Sequence, residues 1–84
     1  MKKLSNLTVA EFRQALMVLG LHPQRTKGGH EAWTKKGMTR PAIVQTHIEP
    51  VPEFIVKNAI RNIGITRQEF MDILEKLQMY GNGF

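Results

Sequence analysis

His30 is the residue of this 84-residue chain best suited to exchange a proton near neutral pH, and its neighbours suit the same task. An imidazole has an unperturbed pKa of about 6.5, so both protonation states are available at working pH. Gly28 and Gly29 precede it and supply a turn. Arg25, Lys27, Lys35, Lys36 and Arg40 surround it in sequence with positive charge. RNA can be cleaved without metal because its own 2′-hydroxyl attacks the adjacent phosphate. A protein then has to help remove that proton, offset charge on the phosphate oxygens and protonate the leaving oxygen. His30 is the candidate general acid/base. Arg25, Lys27, Lys35, Lys36 and Arg40 are candidate phosphate contacts, acting by an attraction that weakens with salt. The backbone amides of Gly28 and Gly29 form either a small anion-binding concavity or a plain hairpin turn. A histidine that merely closes a hairpin is the ordinary alternative for His30.

One histidine does not easily serve as base and acid at once. The second role falls to water, to Lys27 as a charge stabiliser, or to His47 if its strand comes close. Otherwise His47 is a structural or partner-contact residue, and His22, beside Pro23, has no role. The three histidines lack metal-ligand spacing and no cluster of acids joins them, so neither metal nor cofactor is expected. Trp33, the only tryptophan, reads as core rather than as a base-stacking platform. Met17, Met38, Met71 and Met79 read as packing or flexible surface.

The charge is distributed unevenly. Residues 1–47 carry eight Lys and Arg against Glu11 and Glu31, net +6, whereas residues 48–84 are net −1. The dense part runs from Arg25 to Arg40, which points to a polyanionic partner. With no cysteine, a disulfide framework, a zinc knuckle and a thiol nucleophile are excluded, in keeping with a reducing cytoplasm. No apolar run approaches the roughly 18–20 residues of a membrane span, and the basic start is not followed by a signal-peptide core. A soluble, cytoplasmic protein of one domain is expected.

Several elements must position these residues. Thr8 and Glu11 form a capping box, and Phe12, Ala15, Leu16 and Leu19 follow at one-face helical spacing, with Gly20 as the stop. From Leu21 the helical period is lost. Strands are expected at about 21–27, 30–36 and 41–47, with turns at Gly28-Gly29 and near Gly37-Met38; Ala42-Ile43-Val44 is the most β-prone run. Pro41 suits a strand start or an edge. Alternation along the second strand separates His30, Ala32 and Thr34 from Glu31, Trp33 and Lys35. If Trp33 faces the helices, His30 faces solvent. Val56, Ala59, Ile60 and Ile63 mark a second helix ending at Gly64. Thr66 and Glu69 cap a third, with Phe70, Ile73, Leu74 and Leu77 on its buried face. A tail is expected over 80–84. The order predicts an α+β domain with helices stacked on one face of a small antiparallel sheet.

The stretches Leu19-Gly20-Leu21, Arg25-Thr26-Lys27-Gly28-Gly29-His30 and Trp33 together resemble the HicA family of bacterial toxin ribonucleases. Val44-Gln45-Thr46-His47, Val51-Pro52, Ile60 to Ile65 and Thr66-Glu69-Phe70 look like its last strand, proline-containing turn, final helix and continuation. The likeness spans roughly residues 7–74. It implies a double-stranded-RNA-binding-domain-like fold, with an α-β-β-β-α core and an additional C-terminal helix. It also implies a toxin that cleaves mRNA, with a HicB-type antitoxin as inhibitory partner. Gly29 departs from the family pattern, which has serine there, so a hydroxyl contact is lost and the turn is loosened. Two other classes remain: a module of the same fold that binds RNA without cutting it, and an interaction protein whose basic face serves an acidic partner.

Overall fold

A capped amphipathic helix opens the chain, and its two ends explain how the rest is arranged around it. In the computed structural model, residue 4 and residues 6–81 are described, with side chains described as far as residue 78. Helix α1 spans Val9–Val18. The Glu11 amide donates to the Thr8 hydroxyl at 3.1 Å, and the Thr8 amide donates to the Glu11 carboxylate at 2.9 Å, closing the expected capping box. At the other end Gly20 takes φ +91°, and the amides of Leu21 and Gly20 donate to the carbonyls of Leu16 and Met17. That is a Schellman stop, which an L side chain at position 20 would strain.

Three antiparallel strands follow: β1 (His22–Lys27), β2 (His30–Thr34) and β3 (Ala42–Gln45), in the sheet order β1-β2-β3. Strands β2 and β3 stop two residues short of their expected ends. The chain turns at residues 36–37 and again at 46–47, so Thr46 and His47 sit in a turn rather than in the ladder. The register between β1 and β2 shifts between Pro23 and Arg25. Proline supplies no ladder donor, and an edge strand with a bulge is where it is tolerated.

Helices α2 (Glu53–Ile63) and α3 (Arg67–Gly81) complete the order α-β-β-β-α-α. Gly64 ends α2 at φ +88°. Thr66 and Glu69 cap α3 reciprocally, as their spacing predicts. The end of α3 reaches into the expected tail, whose last residues, 82–84, lie outside the described residues. Helices α1 and α2 pack on β3, and α3 packs on α1 and α2. The core between them holds Phe12, Leu16, Leu21, Trp33, Val44, Val56, Phe70 and Leu74, with Phe12 and Phe70 meeting edge to face at 6.2 Å. No helix among the described residues is long and apolar enough to cross a membrane.

Polar contacts from three residues distant in the chain hold α1 in place. The Glu49 carboxylate accepts from the Val9 amide at 2.7 Å, placing negative charge on the helix N-terminus. The Lys35 ammonium donates to the Leu19 carbonyl at 2.9 Å, placing positive charge at its C-terminus. Between them Arg13 donates twice to Glu31, from Nε at 3.0 Å and from Nη2 at 2.8 Å. Trp33 Nε1 donates to the same carboxylate at 3.0 Å. These contacts hold the parity of β2, with Glu31 and Trp33 on the helix side.

Candidate active site

With Glu31 and Trp33 turned inward, His30 projects from the opposite, exposed face of the sheet, as the alternation predicts. Cross-strand partners share a face. Lys27 pairs with His30, Arg25 pairs with Ala32, and Ile43 pairs with Ala32 from the other side. A hollow of about 370 Å³ on that face is lined by Arg25, Lys27, Gly28, His30 and Ile43. The cations beside the imidazole therefore come from β1, one strand away in space.

The turn before His30 is held from β3. Gly28 takes φ +61°, the positive φ that a tight two-residue hairpin requires at its first central position. The carbonyl of Gly29 then accepts twice from Thr46, from the amide at 2.8 Å and from the hydroxyl at 3.2 Å. This tether brings the next residue, His47, over Gly29. A Cβ built on Gly29 would overlap His47 Nδ1 and lie 2.7 Å from Cε1. A serine at this position would displace His47.

His30 and His47 face one another with ring centroids 6.2 Å apart and planes inclined by 57°. Both are exposed. Neither ring has a hydrogen-bond partner among the described residues, so both are open to an incoming group. The loop bearing His47 is anchored further on, where Glu49 caps α1 and the Val51 amide donates to the Leu7 carbonyl at 2.8 Å.

The sequence candidates divide into two groups. Arg25, Lys27, Gly28 and Gly29 are brought to His30. Lys35 and Lys36 are not, since they follow the far end of β2, and the Lys35 ammonium is occupied at the end of α1. Arg40 lies ahead of β3, in a separate cleft with residues of α2. His22 sits at the opposite end of β1 from Lys27, paired with Thr34. Among the described residues no three histidines or carboxylates come together as a bound metal ion needs. Thr46 is the site residue that sequence reasoning missed, and His47 the one it left open. Counting an antiparallel register back from Ala42–Gln45 would have set positions 46–47 against the Gly28-Gly29 turn.

Next to His30 in β2, Glu31 has its acidity shifted from the ordinary carboxylate value. The Arg13 hydrogen bonds hold its carboxyl below the ordinary carboxylate range, with help from the Trp33 donor and the Arg13 charge, against a smaller opposing effect of burial. It stays ionised, and so keeps its three donors, through the pH range where imidazoles titrate.

Comparison of the chain with models of protein families, with curated proteins and with solved structures finds no match.

Proposed function

We propose that this protein is an endoribonuclease that cleaves mRNA with no metal ion, His30 and His47 each exchanging a proton with the substrate. The observation that carries the reading is the pair of open imidazoles 6.2 Å apart, of which His30 lines a hollow supplied with Arg25 and Lys27. Two hydrogen bonds of about 2.6–3.2 Å each, one from either ring to the reacting oxygens, fit that separation. The neutral imidazole takes the proton of the 2′-hydroxyl. The 2′-oxygen forms its bond to phosphorus, the bond from phosphorus to the 5′-oxygen breaks, and the protonated imidazole gives its proton to that leaving oxygen. The products are a 2′,3′-cyclic phosphate and a 5′-hydroxyl end, and the two rings have exchanged protonation states. Arg25 and Lys27 offset the charge that grows on the phosphate oxygens.

The resemblance of residues 7–74 to the HicA family supports the same reading. On that likeness the protein is the toxin of a toxin–antitoxin pair, and its fold is of the double-stranded-RNA-binding-domain kind. A HicB-type antitoxin that covered His30 and the cations of β1 would silence it. The departure at Gly29 loses its force as an argument against catalysis, because His47 takes the place of a side chain there.

The absence of any hydrogen bond orienting either imidazole among the described residues favours a second reading, a module that binds RNA without cutting it. Purified protein incubated with single-stranded and with structured RNA, in the presence of a chelator, separates the two. Cleavage is expected, with a bell-shaped pH dependence and a loss of about 10²–10⁴-fold in His30→Ala and in His47→Ala. Salt-dependent binding with no product in any substrate selects the binding module. Cleavage that is undiminished in His30→Ala removes the catalytic assignment.

A further inference from the structure

The cationic face continues past the histidines. Ile43, 37% exposed in the middle of β3, borders the His30 hollow on one side and a larger cleft of about 550 Å³ on the other. That cleft lies between the start of β3 and α2. Arg40 comes from one wall, and Asn58, Arg61 and Asn62 come from the other. The three α2 residues are spaced i, i+3, i+4, which puts them on one side of the helix. Pro41, Ile43, Ile55 and Ala59 supply the apolar remainder.

The charge in this cleft is uncompensated. No carboxylate among the described residues lines it, although two guanidinium groups do. Arg61 donates to the Asn58 side-chain oxygen, and Asn62 donates to the Pro41 carbonyl at 3.3 Å; both partners are neutral. Glu53, the acid of α2, is paired 3.0 Å from Lys57. A pair of unneutralised guanidiniums matches the oxygens of a phosphodiester, which Arg engages through two parallel N–H donors. Side-chain amides match base edges, and an exposed Ile43 gives apolar support to a sugar or a base between the two hollows.

We infer that the Arg40–Arg61 cleft is a nucleotide subsite, which holds a phosphate and its attached nucleoside of the RNA strand that is cut at His30. The inference rests on the ribonuclease reading. His30 pairs with Gln45, and β3 runs three residues back to Ala42, about 10 Å at the rise of a strand, with Arg40 ahead of that end. That is more than one nucleotide step. The subsite therefore binds a phosphate remote from the one being cut, in a single strand whose base edges are accessible.

The test uses a hexanucleotide carrying 2′-O-methyl groups, which binds but has no free hydroxyl to attack with. Its Kd is measured for the wild-type chain, Arg61→Gln and Arg61→Lys, with side-chain amide spectra of Asn58 and Asn62 recorded during the titration. Arg61→Gln is expected to weaken binding about tenfold, with Arg61→Lys recovering only part of the loss because it lacks the two-pronged geometry. The Asn58 and Asn62 amide signals are expected to move as the hexanucleotide saturates the protein. For the unmethylated RNA, the KM penalty of Arg61→Gln is expected to grow with length from dinucleotide to hexanucleotide. Unchanged Kd in Arg61→Gln, with still amide signals, overturns the subsite while leaving cleavage at His30 intact. Tight, Arg61-dependent binding of an oligonucleotide that the wild type never cuts in unmethylated form keeps the subsite and overturns the ribonuclease reading. Failure of the wild type to bind the hexanucleotide at all removes both.

Discussion

The two faces of the sheet are drawn from alternate residues of the same strands, yet they differ in every chemical respect. On the inner face Trp33, Ala42 and Val44 are buried, and Glu31 accepts three hydrogen bonds from Arg13 and Trp33. On the outer face Arg25, Lys27 and His30 are exposed and carry no partner among the described residues. One residue of offset separates a group that must be satisfied within the protein from one left open for something outside it. The inner face spends its polar groups on holding the register. The outer face inherits the position without contributing to the hold.

The largest effect that tests this contrast comes from adjacent parities of β2. Trp33→Ala should cost about 3–5 kcal/mol through the cavity it leaves. His30→Ala should leave thermal unfolding unchanged while RNA cleavage falls by about 10²–10⁴-fold. A His30→Ala protein that melts well below the wild type would show that the outer face is structural after all.

Glu31→Gln is next, at about 1–2 kcal/mol, because it removes the ionic partner of a half-exposed Arg13. The sign of its pH dependence follows from the lowered acidity of Glu31. The stabilisation it provides is complete above the ordinary carboxylate range and is lost as pH falls through the depressed folded-state value. Unfolding free energies measured over the acid limb should therefore depend less on pH in Glu31→Gln than in the wild type. Equal acid limbs in the two proteins would argue that the carboxylate is not held by Arg13 in solution.

Gly29→Ser acts on the outer face alone. The ring it displaces is exposed and swings aside, so stability should fall by less than about 1.4 kcal/mol while cleavage falls at least about tenfold. Adding His47→Ala should restore the stability and leave cleavage low, a combination that a serine contacting substrate would not produce. The smallest effect belongs to Gly28→Ala, at about 1 kcal/mol from the positive φ alone, because nothing lies near the added carbon. Gly28→Asn should lose less than Gly28→Ala in the same thermal melt.

The sequence made the local parts of this arrangement readable. Both Thr–Glu capping boxes, the apolar helix faces, the Gly20 and Gly64 stops and the parity of β2 depend on spacing within one element. What it left hidden depends on residues far apart in the chain. Glu49 caps a helix that begins forty residues earlier. Lys35 reads as a phosphate contact because its charge is visible, while the Leu19 carbonyl that engages it becomes apparent only when β2 returns to α1. The seat of His47 over Gly29 needs the register of β3 against the hairpin, and β3 ends two residues earlier than the expected strand over 41–47. The cleft of α2 was concealed for the same reason, since Arg61 and Asn62 look like an ordinary solvated helix face until Arg40 is set beside them.

Strand β1 has a consequence of its own for how the molecule fluctuates. All six of its residues are exposed, and it packs against β2 rather than against the helices. None of its own side chains belongs to the core, so the amide protons of residues 22–27 should exchange with solvent through local openings well below the free energy of global unfolding. The amides of Trp33 and Val44, whose side chains are buried in the core, should wait for that global event. Arg25 and Lys27 thus ride on the segment that yields most easily, while His30 and His47 are borne by segments tied to the helices.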